Sequence, residues 1–137
     1  MSHDQASPSK LQSTGMSASI TVKDLAASLD WYEHALGFHV EQRYEREGKV
    51  VGASISAGNL RLVLNQEDGK KGWDRVKGLG LSFQINMASG VDAVADRLKA
   101  RGTTLLNEPA DFPWGQRMVQ FHDPDGYLLR VSMPVAG

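Results

Sequence analysis

From Met118 to Met133 the chain alternates. Val119, Phe121, Leu129 and Val131 fall on one side of two extended runs, and Met118, Gln120, Leu128, Arg130 and Ser132 fall on the other. The runs Met118–His122 and Tyr127–Met133 flank Asp123-Pro124-Asp125-Gly126. There the proline presets φ and the glycine accepts a positive φ, so a β-hairpin is predicted. A period of two also marks Ser17–Lys23, with Ala18, Ile20 and Val22 opposed to Ser17, Ser19 and Thr21. Asp24 then caps a helix whose apolar stripe is Leu25, Leu29, Tyr32 and Leu36 and whose stop is Gly37. Phe38–Glu47 and Lys49–Ala57 read as strands about a turn at Gly48, and Gly58-Asn59 turns the chain into the alternating run Leu60–Gln66.

The same order then returns. Leu81, Phe83 and Ile85 make a strand, and Ser89 with Asp92 forms a loose capping box. Val91, Val94, Ala95 and Leu98 stripe a helix that stops at Gly102, and Thr103–Asn107, Gln116–His122 and Tyr127–Met133 complete the set. Two β-α-β-β-β units constitute an internal repeat. The predicted class is α+β, with a first module over 16–66, a linker over 67–79 and a second module over 80–134. Residues 1–15, rich in Ser and Gln with few large apolar side chains, are expected to be a disordered tail. Trp31 and Tyr32 ride with the first leucine stripe and are assigned to the core, where the tyrosine hydroxyl needs a partner.

The apolar edges of the strands should cover the helices. Their opposite faces carry Ser17, Ser19, Arg61, Val63, Asn65, Gly80, Ser82, Gln84, Met118, Gln120, Arg130 and Ser132. Small and polar residues of this kind either line a concave wet cavity or are simply solvated, as one face of an antiparallel sheet often is. Composition narrows the function. Fifteen Lys+Arg against sixteen Asp+Glu, scattered along the sequence, leave no electrostatic footprint for nucleic acid. The absence of cysteine removes disulfides, thiolate metal sites and thiol nucleophiles, and fits a reducing compartment. No apolar run has membrane-spanning length and no signal-peptide pattern opens the chain, so a cytoplasmic protein with no membrane partner is expected.

Val22-Lys23-Asp24-Leu25, Trp31-Tyr32, Leu36-Gly37-Phe38, Pro113-Trp114-Gly115 and Asp123-Pro124-Asp125-Gly126, in this order within two βαβββ units, resemble the vicinal oxygen chelate superfamily. That family includes glyoxalase I, extradiol dioxygenases, fosfomycin-resistance transferases and bleomycin-resistance proteins. The resemblance, over residues 16 to 133, implies paired modules forming a cupped, mostly antiparallel sheet with helices on its convex side, commonly completed by a second subunit, hence a homodimer. In the family's enzymes His, Gln or Glu side chains hold a divalent metal in the cup. Carried over by position, those ligands fall on Ser17, Val63, Gly80 and Arg130. A neutral hydroxyl is a poor ligand, Val and Gly offer no side-chain donor and a guanidinium repels a cation, so no metal or other cofactor is expected.

Neither a nucleophile elbow nor a phosphate loop appears, and no catalytic residue is assigned. His34, His39 and His122 lack the spacing of a ligand cluster, though the parity of His122 points it towards the cup rim. Glu41, Glu45 and Glu47 lie on a strand of unsettled parity, and one of them could act as a base. Arg130 carries a planar donor fork suited to carboxylate, phosphate or a polarised carbonyl, unless a neighbouring Glu or water takes it. Arg61 shares its predicted face. Trp114 could stack on a planar ligand or anchor its own loop, and Trp73 could close over the ligand or meet the other subunit. The expected ligand-binding set is Ser17, Ser19, Arg61, Val63, Trp73, Ser82, Trp114, Met118, Gln120 and Arg130. The first expectation is a metal-independent small-molecule binding protein that sequesters a planar or acidic compound such as an antibiotic or secondary metabolite. The alternative is a lyase, isomerase or dioxygenase-like enzyme with an atypical metal site or none.

Overall fold

Eight strands and two helical segments, described over residues 10–135 of a computed structural model, follow the predicted repeat. The first unit is β1 (Ala18–Val22), α1 (Leu25–Asp30), β2 (His39–Arg46), β3 (Lys49–Ala57) and β4 (Leu60–Gln66). The second is β5 (Ser82–Asn86), α2 (Val91–Ala100), β6 (Leu105–Phe112), β7 (Gln116–His122) and β8 (Leu128–Pro134). The sheets have equivalent orders, β1-β4-β3-β2 and β5-β8-β7-β6. In each, the first strand pairs parallel with the last and the other two pairings are antiparallel. Residues 1–9 of the expected tail lie outside the described residues.

Local chemistry explains the elements. Asp24 caps α1, accepting from the Ala27 N–H at 3.1 Å. The helix then widens into a π-helical turn, Trp31–Leu36, before Gly37 ends it in the left-handed region at φ +93°. This widening keeps Tyr32, Ala35 and Leu36 buried on the face that the leucine stripe began. Four expectations need correction. No capping box forms at Ser89 and Asp92: Gly90, with φ +98°, stands at the start of α2 and gives no side-chain cap, while Asp92 is engaged by Arg117. The strand predicted over Thr103–Asn107 begins at Leu105 and runs on to Phe112, because Pro109 falls where the β6–β7 register shifts and no ladder hydrogen bond is needed. Leu81, assigned to the apolar edge, precedes β5 and is half exposed. The helical stripe is not a single α-helix, for the reason just given.

One continuous core takes Ile20, Val22, Leu62 and Leu64 from the first sheet, Val119, Phe121, Leu129 and Val131 from the second, and both helices. The helices thus lie on the apolar side of both sheets, and the polar faces turn outward. Trp31 links the modules: its ring meets Phe121 at 6.1 Å and its Nε1 donates to Thr103 Oγ1 at 3.0 Å. The hydroxyl of fully buried Tyr32 donates to Asp123 Oδ2 at 2.7 Å. β1 and β5 each pair with a single strand of their own sheet, and on its other side the Thr21 carbonyl of β1 accepts from the Tyr127 hydroxyl at 2.9 Å, so the two polar faces are separate half-cups.

Candidate functional site

The first half-cup is the polar face of β1, β4, β3 and the start of β2. Ser19 on β1 accepts from Asn65 Nδ2 on β4 at 2.7 Å, next to half-buried Val63. Ser54 and Ser56 of β3 stand opposite Val63 and Arg61. Sequence reasoning missed both serines. It left Glu41 unsettled. Glu41 follows core-packed Val40 onto the polar face, where Ser56 Oγ donates to its carboxylate, and the register shift between Val40 and Gln42 makes Gln42 the residue opposite Ser54. Ser17 and Arg61 are exposed, and Arg61 has no ion-pair partner among the described residues.

The second half-cup is built by β5, β8 and β7. Gln84, Arg130 and Gln120 form one cross-strand row, and Asn86, Ser132 and Met118 form the next. Gln84 Nε2 donates to Ser132 Oγ at 3.2 Å, and Ser132 Oγ donates to Asn86 Oδ1 at 3.3 Å. Asn107 of β6, which sequence reasoning also missed, accepts from the Gln120 backbone N–H at 3.1 Å and from its side chain at 3.3 Å. Met118 is buried and Ser82 exposed. Within this network of amides and hydroxyls, Arg130 stands out. Its Nε is buried without a hydrogen-bond partner, and no carboxylate pairs with it among the described residues. A buried donor left unmade costs about 1–3 kcal/mol, so this edge of the guanidinium is primed for an acceptor.

Trp114, at the tip of the β6–β7 hairpin, is 64% exposed and stacks on Phe112 at 4.9 Å with planes 35° apart. Trp73 lies in the linker over Gly69, beside Lys23, Asp74 and Asp125, away from both polar faces. The linker also carries an ionic bolt. Buried Glu67 accepts from Arg75 Nε at 2.9 Å, and the buried Lys77 ammonium lies 3.8 Å from Glu67 and 3.7 Å from Asp125. Burial works against the Glu67 carboxylate, but Arg75, the Gly69 N–H and Lys77 outweigh it and hold its pKa below the ordinary range. Asp123 shows the reverse balance. Its burial pushes the carboxyl above the ordinary range, despite hydrogen bonds from Tyr32 and from the Tyr127 and Asp125 backbone.

The residues at the four positions where the resemblance implies metal ligands do not fit a cation. Ser17 offers a neutral hydroxyl on an exposed segment, Val63 and Gly80 have no side-chain donor, and Arg130 is itself cationic. Nor do three His, Cys, Asp or Glu side chains converge anywhere among the described residues. His122 is exposed at the end of β7, opposite Leu128.

The profile of the family described as Glyoxalase/Bleomycin resistance protein/Dioxygenase superfamily matches residues 14–131. Among solved structures, a superfamily member from Sphaerobacter thermophilus DSM 20745 is similar at 24% identity and TM-score 0.72, covering 89% of this chain and 98% of that one. TnmS3, an antibiotic binding protein from Streptomyces sp. CB03234, is similar at 24% identity and TM-score 0.70, covering 91% and 98%. TioX from Micromonospora sp. ML1 is similar at 20% identity and TM-score 0.70, covering 90% and 100%. No curated protein sequence matches the chain.

Proposed function

The chain belongs to the glyoxalase/bleomycin resistance protein/dioxygenase superfamily, and we propose that within it this protein is a metal-independent small-molecule binding protein. In this reading it is a cytoplasmic homodimer. Each cup joins the first half of one copy to the second half of the other and holds a planar or acidic organic compound, such as an antibiotic or secondary metabolite. One observation carries the reading: the buried, unpartnered Nε of Arg130 at the centre of a polar face whose other members bond to one another. A carboxylate, phenolate or polarised carbonyl placed there gains a charge-assisted hydrogen bond, about 1.5–3 kcal/mol, and removes an unsatisfied donor. Exposed Trp114 offers a flat ring for a planar body, and buried Met118 offers an adaptable apolar floor. The fold likeness to an antibiotic binding protein supports this class of ligand. The cation in the cup argues against a strongly cationic one.

Tryptophan fluorescence tests the reading, with 2-naphthoate as the probe and a chelator present throughout. Saturable quenching, lost in Trp114→Phe, with the probe recovered chemically unchanged, is the expected result. No saturable quenching by aromatic acids, or quenching abolished by the chelator, would sink it.

Glu41 favours a second reading, an enzyme of the superfamily that works without a metal. Its carboxylate lies on the first half-cup in contact with Ser56, where it could take a proton from a bound substrate. Turnover of many substrate molecules per chain, lost in Glu41→Gln, would put this reading first.

A further inference from the structure

Arg130 does not stand alone on its face. Gln120 of β7 is directly opposite it, and the Cβ atoms of such a pair are about 5 Å apart. The Arg130 Nε and the Gln120 carbonyl oxygen, Oε1, lie the same number of bonds out from their backbones, so the pair offers a donor and an acceptor at equal reach.

Which end of the Gln120 amide is free follows from its other neighbour. Asn107 Oδ1 accepts from the Gln120 backbone N–H at 3.1 Å, and Asn107 Nδ2 donates to the Met118 carbonyl at 3.0 Å. Backbone groups, which cannot exchange roles, therefore fix the orientation of the Asn107 amide. The Gln120 atom that meets Asn107 Oδ1 at 3.3 Å must then be the donor, Nε2. Its Oε1 diverges from that contact and accepts no side-chain or backbone hydrogen bond among the described residues. Gln84, opposite Arg130 on β5, is exposed and meets water in competition, whereas Gln120 is half-buried.

An acceptor for Arg130 is thus only half of the complement that this face asks for. We propose that Gln120 Oε1 is the specificity-determining acceptor of the second half-cup, and that its ligand is a phenolic acid or ketone whose hydroxyl is meta to the group that meets Arg130. This deepens the binding reading given above and rests on it. A meta hydroxyl stands off from the carboxylate by a spacing comparable to that of the two side chains. An ortho hydroxyl instead turns its proton inward to its own carboxylate. An ordinary phenol is un-ionised at neutral pH, so it donates to Oε1. A second acceptor in its place would face the carbonyl oxygen without a proton between them, which selects against ligands that lack the donor.

Calorimetric titrations of metal-stripped protein with 2-naphthoate, 4-hydroxy-2-naphthoate and 4-methoxy-2-naphthoate test the assignment, in the parent and in Gln120→Met. The 4-hydroxy compound is expected to bind the parent about three- to tenfold more tightly than either of the others, the yield of one net hydrogen bond. In Gln120→Met the ratio of hydroxy to methoxy affinity should fall to about one. The comparison within the parent needs no variant: equal affinities for the hydroxy and methoxy compounds would overturn the assignment. So would a preference that persists in Gln120→Met. Either result, with 2-naphthoate still bound, leaves the Arg130 reading standing. Failure of all three compounds to bind the parent would overturn that reading and this assignment with it.

Discussion

Half-buried Arg130 of β8 and buried Asp123, in the turn after β7, show how two charged residues of one hairpin take opposite roles. Arg130 faces the half-cup with an unmade hydrogen bond, so its contribution to the unliganded fold is poor. Arg130→Met is accordingly expected to leave the urea midpoint unchanged or higher while weakening 2-naphthoate binding by tenfold or more, because it removes both the orphan donor and the ligand's partner. A loss of stability with unchanged binding would mean that Arg130 is structural. Asp123 ties the modules through Tyr32, and burial holds its pKa high. Between the ordinary aspartate range near pH 4 and its raised value, the folded protein keeps a proton that the unfolded chain has lost, so this group's contribution to stability falls as pH rises. Glu67, with its lowered pKa, works the other way: its contribution is present above the ordinary glutamate range and is lost as pH falls through its folded value. Asp123→Asn removes only the falling part. Its unfolding free energy, from urea titrations at stepped pH, should therefore climb more steeply above about pH 4 than that of the parent. Parallel curves would contradict the assignment.

At the level of elements, the alternation of the strands was legible because each sheet has one apolar and one polar side, and period two reports that side directly. β3, β4 and β7 keep their expected bounds for this reason. What alternation could not reveal was any place where an extra residue breaks it. The shift between Val40 and Gln42 is such a place, and it left the facing of Glu45 and Glu47 beyond it unsettled. The irregular pairing around Pro109 likewise hid the far end of β6, and the shift between Leu105 and Asn107 hid the facing of Asn107. Nor does a stripe of leucines at helical spacing tell an α-turn from a π-turn, since both can bury Tyr32 and Leu36. The glycine stop was legible, and it has a consequence that can be measured. Gly37 has a positive φ, and a Cβ there would stand 2.3 Å from Arg97 Nη1, the group that reaches the Leu36 carbonyl from α2. Gly37→Ala should cost about 1–3 kcal/mol, seen as a lowered urea midpoint with unchanged m-value. An unaltered midpoint would mean that the end of the first helix does not hold the modules together.

For the whole molecule, the sequence repeat becomes two equivalent sheets around one core, and the polar faces that result are two half-cups. No helix among the described residues is long and apolar enough to cross a membrane. The chemistry of the polar faces departs from the metal-binding pattern of the resemblance at all four carried-over positions, and at Arg130 a cation with a buried, unpartnered Nε stands where the pattern has a ligand for a cation. The most direct test is a calorimetric titration of metal-stripped protein with 2-naphthoate, repeated after divalent cations are restored. The account predicts one site per chain with the same affinity in both titrations. Binding that appears only when a metal is returned would contradict it.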